Sequence, residues 1–163
     1  MSTSAVPGRV PSKPMTALGR AREVSRLVAA RLSDVDAWTE VAAAQSPTLV
    51  VIDQAVDLRR RLADVASLAR SVLEDVPTSP AWDETRLAAA AVASSLDAAG
   101  HTVSPVATAL CRQDDLHVTA QLSAGVTRRF LAAAAAAAAD LRELLEHASS
   151  DAGLGCQHLW VVP

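Results

Sequence analysis

The chain has 163 residues, half of them hydrophobic, but 35 of these are alanine, so a core has to be built mainly from 19 leucines and 19 valines. Tyrosine is absent and phenylalanine and isoleucine occur once each, which argues against an all-β or doubly wound α/β domain, while alanine, leucine, arginine and glutamate favour helix. A formal charge of −3 does not supply the broad positive field on which general nucleic-acid packaging relies.

A chain of this length fits one domain, in which about two-thirds of the unfolded surface is buried on folding. Residues 1–14, with prolines at 7, 11 and 14, read as a disordered leader without the apolar stretch of a secretory signal. Residues 15–150 are expected to form an all-α, antiparallel helical bundle, and 151–163 a flexible segment with an apolar C-terminal tail. No stretch reaches the roughly 18 apolar residues of a membrane helix. Cys111 and Cys156 do not make a disulfide framework, so a reduced, cytoplasmic protein is expected.

Three Ser-Pro pairs, Ser46-Pro47, Ser79-Pro80 and Ser104-Pro105, divide the bundle. A serine hydroxyl accepts an orphan backbone N–H at a helix start, and the following proline has its φ preset and no N–H to leave unpaired. With Gly100 as a stop, the pairs predict helices near 16–32, 35–45, 47–76 and 80–99, and a short piece near 105–112. The last long helix is expected from about Asp114 or Asp115 to Ala148, loosened at Gly125. The two long helices are thus about 47–76 and 115–148.

The helix at 47–76 has the clearest pattern. Val51, Ala55, Leu58, Leu62, Val65, Ala69, Val72 and Val76 follow a 4-3 spacing, and Ile52, Leu68 and Leu73 widen the face beyond what one partner covers, so a bundle is favoured over a two-stranded coil. Asp57 with Arg61 and Arg60 with Asp64 are expected to pair across one turn. In the last helix the stripe reads Val126, Phe130, Ala134, Ala137, Leu141, Leu144 and Ala148, with Leu131, Ala138 and Leu145 beside it. Eight consecutive alanines, 132–139, give it a narrow waist that another helix can approach closely. Ala134, Ala137 and Ala138 are therefore candidate contacts for a partner helix or a second copy of the chain. Trp38 and Trp82, each after a similar Leu-x-Asp-Val segment, are expected in the first turn of a helix, closing the bundle ends.

Residues with metal-ligating chemistry, His101, Cys111, His117, Cys156 and His158, match no zinc spacing, so no metal or other cofactor is expected. No nucleophile elbow, phosphate loop or His-Glu-x-x-His occurs, and Asp114-Asp115 suits a helix start better than acid–base work. An enzyme is not expected. Segment 92–112 has the outline of a helix-turn-helix about Gly100, with Thr108 and Arg112 as the groups able to reach DNA, but few others accompany them. The tail Leu159-Trp160-Val161-Val162 either folds back or docks on a partner as a short apolar anchor. The expected function is a non-enzymatic interaction protein, a subunit or adaptor of a larger assembly that binds a protein partner or itself. The alternative is a small DNA-associated regulator using 92–112.

Overall fold

The computed structural model describes residues 16–44, 48–104 and 116–155, and among them every regular element is helical. Four α-helices, α1 (Ala17–Ala43), α2 (Thr48–Asp75), α3 (Asp83–Val103) and α4 (Leu116–Gly155), are accompanied by a short 3-10 turn at Pro80–Trp82. Packing runs α1 on α2, α2 on α3, α3 on α4 and α4 back on α1, which closes a four-membered ring around a larger and a smaller hydrophobic cluster. The leader 1–14 and the tail 156–163 lie outside the described residues.

Polar contacts fix the directions. Arg20, at the start of α1, pairs with Asp75, the last residue of α2. Arg86, in the first turn of α3, donates to the carbonyls of Leu73 and Val76 at 3.4 and 3.2 Å, placing a cation where α2 leaves its carbonyls unpaired. Arg22 and Asp36 of α1 pair with Glu146 and Arg128 of α4 in reversed order along the chain, at 3.1 and 2.5 Å. Near the far end of α3, the Thr102 hydroxyl meets that of Thr127 at 2.6 Å. Neighbouring helices therefore run antiparallel, and the bundle is the all-α architecture that composition and periodicity predict.

All eight positions of the α2 seam are buried, and Ile52, Leu68 and Leu73 are half-buried beside it. The width of that face now has its cause: α2 packs between α1 and α3. Asp57 does pair with Arg61, at 2.6 Å, but Arg60 turns back to Asp57, at 3.0 Å, rather than forward to Asp64.

Helix boundaries differ from the sequence reading at the end of α4, which runs to Gly155 instead of about Ala148 and so takes in the start of the segment expected to be flexible from 151, and at two places further back. One helix, α1, replaces the expected pair at 16–32 and 35–45. It begins at Thr16, whose Oγ1 accepts the Gly19 N–H at 3.2 Å, and no glycine or proline interrupts it thereafter. Its buried residues Ala21, Val24, Val28, Val35, Trp38 and Ala42 keep a continuous 3-4 spacing, with Arg31 in the vacant place of the repeat. That periodicity overrides the cap-like Ser33-Asp34, and Asp34 pairs with Arg31 instead, at 2.6 Å. Trp38 consequently sits in the last third of a helix rather than in a first turn, whereas Trp82 closes the 3-10 turn ahead of α3.

The second of these two places is Gly100, which is helical, so α3 continues to Val103 with Ser104 as its C-cap. The short piece expected near 105–112 lies outside the described residues. Gly125 is likewise helical inside α4, and a Cβ built at either glycine meets nothing within 4 Å. Gly100→Ala and Gly125→Ala are each expected to stabilise the chain by about 0.5–1 kcal/mol, because alanine loses less backbone freedom on entering a helix. Urea unfolding checks this as a higher midpoint at unchanged slope. A lower midpoint at either site would contradict a regular helix there.

The core stripe of α4 is Ala120, Ala124, Thr127, Leu131, Ala134, Ala138, Leu141 and Leu145, again at 4-3 spacing. It is rotated from the expected one: Val126 is exposed and Phe130 half-buried at its edge. The rotation turns on a polar core residue. Thr127 is fully buried, and its hydroxyl donates to the Ser123 carbonyl at 2.8 Å while meeting Thr102, so burial leaves it paired.

Candidate interaction surface

The places expected for contact with a partner are distributed unequally. Ala134 and Ala138 are completely buried and Ala137 half-buried, facing the rest of the bundle. The Ser25 hydroxyl of α1 lies 3.2 Å from the Ala138 carbonyl, a side chain touching the neighbouring backbone, which the alanine waist permits. The waist is thus filled by α1, and Ala134 and Ala138 offer no surface to a second molecule. Leu159, Trp160, Val161 and Val162 lie outside the described residues, as do Thr108 and Arg112. The turn expected at Gly100 for a helix-turn-helix is absent, since α3 runs through it.

One surface went unrecognised in the sequence. Among the described residues, the large apolar side chains left exposed are Leu49, Val50 and Val56 on α2, Val118, Leu122 and Val126 on α4, and Leu87 on α3. All but Leu87 lie within the first three turns of α2 and α4. Because neighbours are antiparallel, α2 and α4 begin at the same end of the bundle, where the His117 ring at the start of α4 also meets the Ala42 carbonyl at the end of α1. The six side chains therefore share one end.

Their placement around that end follows from helix geometry. Leu49 and Val56, seven residues apart, lie on a face of α2 away from its seam, as do Leu122 and Val126, four apart, on α4. On α2, Arg59 and Ala63 line a shallow groove of about 140 Å³ with Leu96, Asp97, Gly100 and His101 of α3. Val56 precedes Arg59 by less than one turn on that same side. On α4, Ser123 and Thr127 bind Thr102, and Val126 lies between them in sequence. The two apolar stripes thus flank the last turns of α3. Leu49 at 74 %, Leu122 at 68 % and Val56 at 62 % exposure are far from the isolated, half-covered residues that a monomer surface carries without consequence.

Beside the α4 stripe, Arg128 pairs with Asp36 of α1. Both side chains are about half exposed, so the pair contributes little to stability. His101 is exposed in the last turn of α3, and no group of three or more His, Cys, Asp or Glu able to hold a metal occurs among the described residues. Among these residues, too, no helix is long and apolar enough to cross a membrane.

The sequence signal for this surface was available: apolar residues off the core repeat, at helical spacing, at the starts of two helices. The sequence matches no protein-family model, no curated protein and no solved structure.

Proposed function

We propose that this chain is a non-enzymatic helical interaction protein, a subunit or adaptor of a larger assembly, and that it docks through the apolar end of the bundle. One observation carries the reading: six of the seven large apolar side chains exposed among the described residues gather at one end, on helices whose own cores are already filled. Burying such residues against another surface is favourable at about 25 cal/mol per Å² of apolar area, which gives a partner its driving force. Fully buried seams on α2 and α4 leave this end, rather than the heptads themselves, as the place for association. In this reading the Leu159–Val162 segment is a second anchor, and the protein works in the cytoplasm.

The test uses the double variant Val56→Lys, Leu122→Lys. Both residues are exposed and lysine suits a helix, so the fold and its circular dichroism are expected to persist within about 0.5 kcal/mol of wild-type stability. Light scattering of the wild-type chain is expected to show a mass above the 16.9 kDa monomer, alone or with a partner from its native source, and the double variant to lose that association by tenfold or more, about 1.4 kcal/mol. A wild-type chain that stays monomeric and partnerless, or an association that survives both lysines, overturns the reading.

A further inference from the structure

A second site lies on a different face of the same half of the bundle, between the flanks of α1 and α2. The Arg31 in the core repeat of α1 is 12 % exposed at its side chain, and its Nη1 lies 2.6 Å from Asp34 Oδ2. Across the helix pair, Arg61 contacts Asp57 Oδ2 at 2.6 Å and stands 3.9 Å from the same Asp34 oxygen. Over this ladder opens a cleft of about 160 Å³ lined by Asp34, Trp38, Gln54, Asp57, Leu58 and Arg61. Its floor is nearly inaccessible, with Trp38 at 2 % and Leu58 at 3 % exposure, while Asp57 and Arg61, about two-fifths to one-half exposed, form the mouth.

Several buried polar atoms here have no hydrogen-bond partner: Trp38 Nε1, Gln54 Oε1, Arg31 Nε and Nη1, and Asp34 Oδ2, whose contacts with Arg31 and Arg61 are ion pairs without an aligned bond. Of these residues Arg31 does not line the cleft. Native proteins leave few such groups unsatisfied, and a concave site where they converge is where a ligand or ordered solvent is bound. The atoms specify the ligand. Trp38 offers a donor and needs an acceptor; Gln54 and Asp34 offer acceptors and need donors. The charges are already matched, Arg31 with Asp34 and Arg61 with Asp57, so an ion of either sign would leave one of them uncompensated in a poorly hydrated place. The size is close to that of a cavity of roughly 150 Å³ that accepts benzene.

We propose that this cleft binds a compact, uncharged amide, its carbonyl accepting from Trp38 Nε1 and its N–H groups donating to Gln54 Oε1 and Asp34. A carboxamide is a compact group, neutral at every ordinary pH, that presents a carbonyl acceptor and two N–H donors side by side. The flat faces of Trp38 and the Leu58 side chain take up its apolar remainder. This inference does not rest on the docking surface: the cleft shares no residue with the apolar end, although Gln54 and Asp57 stand one and two turns beyond Val50 on α2, and its probes read Trp38 rather than association.

The experiment uses the full chain labelled with ¹⁵N and three probes of one shape: benzamide, benzoate and benzamidine, carrying charges of zero, minus one and plus one. The indole N–H resonance of Trp38 is identified by its loss in Trp38→Phe. Benzamide is expected to shift that resonance saturably in the millimolar range, leaving those of Trp82 and Trp160 in place, as suits a ligand of so few atoms. Benzoate and benzamidine are expected to bind at least about tenfold more weakly, and Gln54→Leu to weaken benzamide by a similar factor. No saturable shift with benzamide, as for a cleft that holds only solvent, overturns the proposal. A charged probe binding as well as the neutral one, or a Gln54→Leu chain that binds benzamide as tightly, overturns it equally.

Discussion

Replacing Leu62 by alanine is expected to cost about 3–5 kcal/mol of folding stability, the upper part of the range for such a change. Leu62 is completely buried midway along the α2 seam, in the core cluster that draws residues from all four helices. The lost methylenes alone account for about 2.4 kcal/mol at roughly 0.8 each. The remainder depends on whether the surroundings close the hole. The core cluster to which Leu62 belongs is dominated by alanines and valines, whose side chains are too short to swing far into a hole. A chain of this length should melt about 10 °C lower. Leu87→Ala is the control: Leu87 is 70 % exposed on α3, so its loss should change stability by less than about 0.5 kcal/mol. If Leu62→Ala costs no more than the control does, the seam is not a packed layer.

The same seam shows why part of the fold was legible. Every one of its eight places holds an apolar residue, so the period stands out without knowledge of the neighbours. In α1 the equivalent period is present but hidden, because Arg31 occupies one of its places and Ser33-Asp34 imitates a helix start. The pairing of Arg31 with Asp34, one turn on in the same helix, shows why a charge is tolerated there. In α4 the signal is weak for the opposite reason: where eight successive residues are alanine, every face is equally apolar, and the pattern has no preferred direction. The stripe then had to be set by Val126 and Phe130, which led to the wrong edge, whereas the buried Thr127 that marks the true face is polar. The all-α bundle class was thus readable from composition and one long repeat. The apolar end required knowing that α2 and α4 start together, and the cleft required bringing Asp34 and Trp38 to Gln54 and Asp57, which no local period does.

The alanine run makes the sharpest contrast within one helix. Ala134→Leu is expected to destabilise by about 3 kcal/mol, at the upper end for overpacking, while Ala136→Leu, two residues away, should stay within about 0.5 kcal/mol of wild type. Ala134 has no exposed surface, and Ala136 faces solvent. The cost at 134 is high because nothing around it can yield cheaply. α1 lies close enough for Ser25 to reach the Ala138 carbonyl one turn further on, and an added isobutyl group would push the two backbones apart and break that contact. Leucine and alanine have nearly equal helix propensity, so intrinsic preference cannot produce the difference. Urea unfolding reads the two variants side by side, with a midpoint shift at constant slope as the signature of lost packing rather than of a changed unfolded state. Equal tolerance at 134 and 136 would mean that α1 is not seated against the waist, and would return that waist to the surfaces available for a partner helix.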